Sequence, residues 1–183
     1  MTKERLVVHY TESAVKIVQT RVTSVRKKDI LRTSIRLYDG KSMGVAGAFG
    51  NCDERELIKK VRESLELGIP YACEPCKELK REEQHESDLQ NEAELLEAAE
   101  DILERLRRDQ PQFSFSHLFK SARVESFLEN DLGLDLRSSR ESLSMELVIN
   151  DKQSSNIIDA MTGYEGREFR KDSFVGLTNM ICD

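Results

Sequence analysis

From Leu31 to Tyr38 the chain alternates strictly, with Leu31, Thr33, Ile35 and Leu37 on one side and Arg32, Ser34, Arg36 and Tyr38 on the other. That period of two builds a strand with one buried face and one wet face. Asp39-Gly40 follows at once and predicts a type I′ hairpin turn, whose two central residues both need positive φ. Lys41 to Ala48 then reads as the return strand. After Gly50 the period lengthens, and Leu57, Ile58, Val61 and Leu65 fall on one helical face. Asp53 stands where a cap belongs, Glu56 is placed to reach back, and Gly68 suits the left-handed position beyond the helix end.

The rest of the chain sorts by the same two periods. Residues Leu6 to Gly50 read as a β-meander, with strands at Val15–Arg26, Ile30–Tyr38 and Lys41–Ala48 and a turn at Lys27-Lys28-Asp29. Thr2 to Tyr10 is too short and too β-branched for a convincing helix. Two helices are expected, at Asp53–Leu67 and Asp88–Arg108, separated by a breaker stretch from Gly68-Ile69-Pro70 through Pro75. In the second, Leu89, Ala93, Leu96, Ala99, Leu103 and Leu106 form a stripe, widened by Leu95 and Ile102. The acidic interval from Glu74 to Glu104 is therefore read as a solvated amphipathic helix, not as low complexity. From Pro111 onward β character returns. Phe113 to Ser116 and Val124 to Glu129 read as strands, and Leu143, Met145, Leu147 and Ile149 alternate toward one face. The tail after Ser173 shows no clear pattern and is expected to be loosely ordered. The fold class is α+β: an antiparallel β-meander with two helices, followed by a second, mostly β segment. The expected division is 1–109 for the meander and helices and 110–183 for the β-rich remainder.

A chain of 183 residues can bury a real core as one ordinary domain or two small ones. Its formal net charge of −6 argues against a nucleic-acid surface, which needs a concentrated basic stripe. No stretch has the length of a membrane span, and Met-Thr-Lys-Glu-Arg lacks the apolar run of a signal peptide. A cytoplasmic location is expected, and with it four cysteines as thiols.

The hairpin with Asp39, Gly40 and Gly44, running into a capped helix, resembles the first domain of the TldD/PmbA family. Asn130-Asp131-Leu132-Gly133 is similar to that family's Asn-Ser-x-Gly turn, and a long strand follows it here too. Together the matches span roughly residues 15 to 170, so the candidate structural positions are Asp39, Gly40, Gly44, Asn130 and Gly133. The family consists of prokaryotic zinc metalloproteases and their inactive partner subunits. Its zinc site is His-Glu-x-x-x-His, and no such run occurs in this sequence. The resemblance thus implies the N-terminal, non-catalytic part of such a protein. No catalytic residue, cofactor or metal is assigned to these residues, and zinc is expected only in the catalytic region of a full-length relative. The implied partners are a TldD/PmbA-like subunit, in a homo- or heterodimer, and an unfolded peptide, with neither nucleic acid nor membrane. An exposed edge of the meander could take such a peptide as an extra strand. The chain's end at Gly176 to Asp183, with no clean helix or strand terminus, favours a truncation of a longer protein. The alternative is a stand-alone interaction module of the same fold without catalysis.

Cys73-Glu74-Pro75-Cys76 has the spacing of a redox pair or of half a zinc site. It follows a helix instead of joining a strand to one, and Cys52, Cys182 and His85 stand at no ligand spacing. Two unliganded thiols in a connection is the preferred reading, with a small thiol- or zinc-responsive protein as the remaining alternative. Gly44, Gly47 and Gly50 precede a helix but match neither phosphate fingerprint, and Asp53 would compete with a phosphate there. They read as glycines at close backbone approaches. Glu82-Glu83-Gln84-His85-Glu86 supplies a single histidine, so two imidazoles cannot converge on a metal. His9, His85 and His117 read as surface or edge residues.

Overall fold

The computed structural model describes residues 1–89 and 91–183. Among them the elements run β1 (Thr2–Val18), β2 (Arg21–Asp39), β3 (Ser42–Phe49), α1 (Glu54–Leu65), β4 (Lys80–His85), α2 (Glu92–Asp109), β5 (Phe113–Asn130), β6 (Asp135–Asp151), β7 (Ala160–Gly166) and α3 (Lys171–Cys182). Hydrogen-bonded neighbours follow the order β3-β2-β1-β5-β6-β4, and β7 also pairs with β6. β2–β3 and β6–β7 are antiparallel, and the short β4 runs parallel to β6. The α+β class expected from the periodicities is the class observed.

The chain packs as two units, each drawn from three stretches of sequence: 1–11, 29–85 and 123–140 in one, and 12–28, 86–122 and 141–183 in the other. In the first unit, Ile35 and Leu37 of β2 pack with Leu57 and Val61 of α1, and Ala46, Ala48, Ile58 and Leu65 lie against them. The alternation of β2 and the 3.6 period of α1 are what bring these four side chains to one place. Asp53 caps α1 by accepting from Arg55 N at 2.9 Å. The glycine that lets α1 approach is Gly44. A Cβ there would stand 2.3 Å from Val61 O and 2.7 Å from Leu65 N, so only a bare backbone fits.

The second unit buries a larger cluster. Leu95, Ala98, Ala99, Ile102, Leu103 and Leu106 of α2 meet Phe115 and Phe119 of β5 and Leu143, Met145, Leu147 and Ile149 of β6. The last four alternate toward one face as the sequence indicated. Phe169 is ringed by aromatics, with centroids 4.8 Å from Phe119, 5.1 Å from Tyr164 and 5.8 Å from Phe174. Asn91 closes a full capping box with Glu94 at the start of α2.

Several expectations are corrected. The first hairpin turns at Gln19-Thr20, not at Lys27-Lys28-Asp29, and β1 begins at Thr2. The charged residues expected in a turn lie within β2 and are paired: Lys28 Nζ lies 2.6 Å from Glu12 and His9 Nε2 lies 2.7 Å from Asp29. Thr20 and Gln19 both have positive φ, 61° and 48°, so the turn uses residue types that carry no turn signal. The second hairpin is displaced by one residue. Asp39 pairs with Ser42, leaving Gly40 (φ 58°) and Lys41 as the loop. Positive φ at the first loop residue alone is the pattern of a type II′ turn, not type I′. Residues 80–85, read as part of an acidic helical interval, form β4 instead. The tail, expected to be loosely ordered, forms α3 with Phe174, Val175 and Thr178 buried.

Candidate functional site

The open edge of β3 follows from hydrogen-bond parity. Ser42, Gly44, Ala46 and Ala48 face Asp39, Leu37, Ile35 and Thr33, and the ladder's next rung is Gly50 N donating to Leu31 O at 2.7 Å. Even-numbered residues of β3 therefore turn their main-chain groups toward β2, and odd-numbered ones turn them away. The first outward groups are covered. Met43 N donates to Ile69 O at 2.9 Å, Tyr71 N donates to Lys41 O at 2.7 Å, and Val45 N donates to Ser64 Oγ at 3.2 Å. Beyond Val45 the cover ends. Among the described residues no backbone bond joins Gly47 N or Phe49 N to another segment.

The side chains along this edge are apolar and wet. Val45 is 43% exposed and Phe49 75% exposed, and they stand directly across from Arg36 and Arg32 of β2. A short edge with unpaired amides, an exposed phenyl ring and Arg32 across from it can add an extended peptide by main-chain bonding. A monomeric protein ordinarily blunts such an edge with charge, proline or a bulge in the strand itself. β3 carries none of these between Val45 and Phe49.

Beside the covered part of β3 lies a polar cluster that sequence reading did not find. Glu4 of β1 is buried and accepts from Arg36 Nη1 at 3.0 Å and from Tyr38 Oη at 3.0 Å. The Tyr71 ring packs on Tyr38, centroids 4.9 Å apart. Burial, with the Glu4 carboxylate beside the hydroxyl, pushes Tyr38 up to about 12. Tyr38 is thus a donor at any ordinary pH and holds Glu4 as its charged acceptor. The sequence signal was present only in part: Arg36 and Tyr38 stand on one face of β2, but nothing local points to Glu4.

Asp39 and Gly40 lie at the β2–β3 hairpin tip, and Gly44 lies under α1. Asn130 and Gly133 form the β5–β6 turn. Asn130 Oδ1 accepts from Leu132 N at 2.9 Å and Leu134 N at 3.1 Å, and Gly133 takes φ 89°. Asn130 Nδ2 donates to Cys76 O at 2.8 Å, so the structure joins this turn to one end of the cysteine pair through the main chain. Glu78 N to Leu132 O and Asp135 N to Leu79 O continue that link and launch β4 along β6. The two sets thus tie down different stretches of the first unit. The thiols of Cys73 and Cys76 are both exposed and free. Among the described residues no three or more His, Cys, Asp or Glu side chains are grouped to hold a metal ion.

A smaller cavity of about 290 Å³ lies over β4 and β6, with Leu6, Leu128 and Leu136 among its walls. Its arginines are already satisfied. Glu83 pairs with Arg140 at 3.2 Å and with Arg81, and Arg137 pairs with Asp135 at 3.1 Å. The Arg140 hydrogen bond and the charge of Arg81 hold the Glu83 carboxyl below its usual range.

Comparison with known proteins bears on the fold. TldE from Thermococcus kodakarensis matches with a TM-score of 0.78 at 15% identity, over 98% of this chain and 43% of that one. The resemblance read from the sequence holds at the level of fold. Two further structures agree, each named a "putative modulator" of DNA gyrase. That from Thermotoga maritima has a TM-score of 0.75 at 13% identity, over 99% of this chain and 44% of that one. That from Bacteroides thetaiotaomicron has a TM-score of 0.70 at 9% identity, over 97% and 44%. The chain therefore spans less than half the length of these proteins. No sequence-family model and no curated protein matches it. No helix of the described residues is long and apolar enough to cross a membrane.

Proposed function

We propose that this chain acts as the non-catalytic front part of a TldD/PmbA-like metallopeptidase, where it helps to assemble subunits and receives unfolded peptide along the edge of β3. The carrying observation is the uncovered stretch from Gly47 to Phe49, in a fold shared over nearly the whole chain with TldE. An unfolded peptide offers what this edge lacks: an extended backbone able to donate to and accept from Gly47 and Phe49. A folded protein offers no such strand unless its own sheet has an open edge. Recognition through main-chain bonds is indifferent to sequence, which suits a protein that handles peptides as a class. Val45, Phe49 and Arg32 would add a preference for apolar and acidic side chains at alternate positions.

The chemistry in this reading lies outside these 183 residues, since the sequence has no His-Glu-x-x-x-His. The purified chain is expected to bind an unfolded peptide and to leave it uncleaved, with or without a chelator. Fluorescence anisotropy with a labelled, permanently unfolded peptide reads the binding, and mass spectrometry of the same mixture reads cleavage. Chelator-sensitive cleavage by this chain alone would overturn the assignment. Equal affinity for the unfolded peptide and for a compact folded protein of similar charge would remove the peptide from it.

A further inference from the structure

Three cations in the second unit stand in one cleft with no carboxylate to answer them. Arg21 of β2, Arg107 at the end of α2 and Lys152 just past β6 line a cavity of about 910 Å³, and no lining residue is acidic. In a chain of net charge −6 this is an unusual neighbourhood. Among the described residues, none of the three makes an ion pair, in contrast to the arginines over β4. Arg107 Nε donates to Leu103 O at 3.2 Å, which uses one nitrogen and leaves the terminal pair of the guanidinium available for a fork-like contact. Lys152 Nζ donates to Pro111 O, which fixes the ammonium while leaving two of its protons unused. The nearest acids in sequence are engaged elsewhere: Asp151 Oδ1 accepts from Gln153 N at 2.8 Å, and Asp109 pairs with Arg108 at 2.9 Å.

The backbone at the cleft supplies an independent sign. Gln19 and Thr20, both lining it, take positive φ, and for a β-branched residue that conformation is a true outlier. The strain is held by specific bonds. Phe115 N donates to Thr20 Oγ1 at 3.0 Å, Thr20 N donates to Phe115 O at 2.6 Å, and Gln19 N donates to Ser116 Oγ at 2.9 Å. A strained turn pinned this firmly beside a cleft is where functional geometry is commonly stored. Val18, Pro111 and Phe113 add apolar wall beside the cations.

We propose that this cleft binds a small phosphorylated organic molecule, its phosphate held between Arg21, Arg107 and Lys152 and its organic part against Phe113. Three cationic side chains lining one cleft, none of them in an ion pair among the described residues, suit a dianionic tetrahedral group better than a single carboxylate. The volume falls in the range of about 300–1,000 Å³ typical of small-ligand sites. The proposal is independent of the peptide edge on β3.

The test is an amide-resolved NMR titration of the intact chain with phenyl phosphate, inorganic phosphate and a glutamate-rich peptide. The expected result is saturable shifts at Gln19, Thr20, Arg21 and Ser114. Phenyl phosphate should bind more tightly than inorganic phosphate, and affinity should fall with added salt. Arg21→Gln and Lys152→Gln should each weaken phenyl phosphate roughly tenfold, about the loss of one charge-assisted contact, while unfolding midpoints stay unchanged. Inorganic phosphate binding as well as phenyl phosphate would overturn the organic part of the proposal. Stronger binding of the glutamate-rich peptide would replace the phosphate with acidic side chains. Absence of saturable shifts, or affinity undiminished in the Arg21→Gln/Lys152→Gln double variant, would overturn the site itself.

Discussion

The two units of the chain spend their sequence differently. Among the described residues the first gathers four buried apolar side chains around Ile35, Leu37, Leu57 and Val61, whereas the second gathers seventeen around α2, β5 and β6. The stability of burial scales with apolar area removed from water, at about 25 cal/mol per Å². Most of the hydrophobic stabilisation therefore resides in the second unit. The first carries what a purely structural unit would avoid: an uncovered strand edge and an exposed phenyl ring at Phe49. A region with a small core and unspent main-chain donors is the one suited to open locally and take on a partner.

The largest test of this contrast is a matched pair of truncations. Leu57 and Leu103 are both buried leucines, 3% and 1% exposed. Leucine-to-alanine changes in cores cost about 2–5 kcal/mol, more where the surroundings cannot collapse. Leu103→Ala should fall near the top of that range and Leu57→Ala near the bottom, as read by denaturant unfolding. A larger loss at Leu57 would reverse the assignment of where stability lies.

Next in size comes Gly44. Gly44→Ala places a methyl group against the α1 backbone, and overpacking of that kind costs about 1–3 kcal/mol. Hydrogen exchange should quicken in α1 while α2 is unaffected. Gly40→Ala offers the contrast. Its Cβ would meet nothing within 4 Å, so the cost is only that of a left-handed backbone, about 1–2 kcal/mol. Equal effects of the two on α1 would show that the close approach at Gly44 is unimportant.

How far the sequence could be read depended on whether each element announced itself locally. The β2–β3 hairpin, α1, the later part of the α2 stripe and the inward face of β6 were legible because their apolar residues keep strict period, whereas α2 starts at Glu92 instead of Asp88 and leaves Leu89 outside it and Ala93 exposed. β4 was not: Lys80-Arg81-Glu82-Glu83-Gln84-His85 contains no apolar residue. It is a strand because β6 pairs with it and Arg140 meets Glu83. Gln19-Thr20 hid its turn because its bonds to Phe115 and Ser116 come from residues about a hundred positions away. α3 was missed because Gly176 and Thr178 weaken helical propensity. Phe174, Val175 and Thr178 nonetheless share a buried face, and the Thr178 hydroxyl donates to Phe174 O at 2.8 Å. Of the candidate site, Gly44 was legible as a close approach. The open edge at Gly47 and Phe49 was not, because it depends on where the loop at Ile69 to Tyr71 stops covering β3.

The smallest expected effect concerns His9 in the first unit. Its Nε2 lies 2.7 Å from Asp29 Oδ1 and its Nδ1 lies 3.4 Å from Glu125 Oε2. The hydrogen bond to Asp29 is the main cause that raises its pKa. Because the folded value exceeds the unfolded one, this contribution is complete below about pH 6.5 and is lost as pH rises through the folded pKa. His9→Asn should flatten that part of the stability profile and no other. The group is partly exposed, so added salt should shrink the effect.

Hydrogen exchange of individual amides in β3, with and without a saturating unfolded peptide, tests the central claim most directly. Protection should appear at Gly47 and Phe49, whose amides face outward, while Gly44, Ala46 and Ala48, already bonded to β2, should change little. Phe49→Pro removes an outward donor without breaking a rung to β2, and should abolish the protection at Gly47 while leaving the fold intact. Unchanged exchange at Gly47 and Phe49 under saturating peptide, or binding that persists in Phe49→Pro, would contradict the open edge as the place where peptide is received.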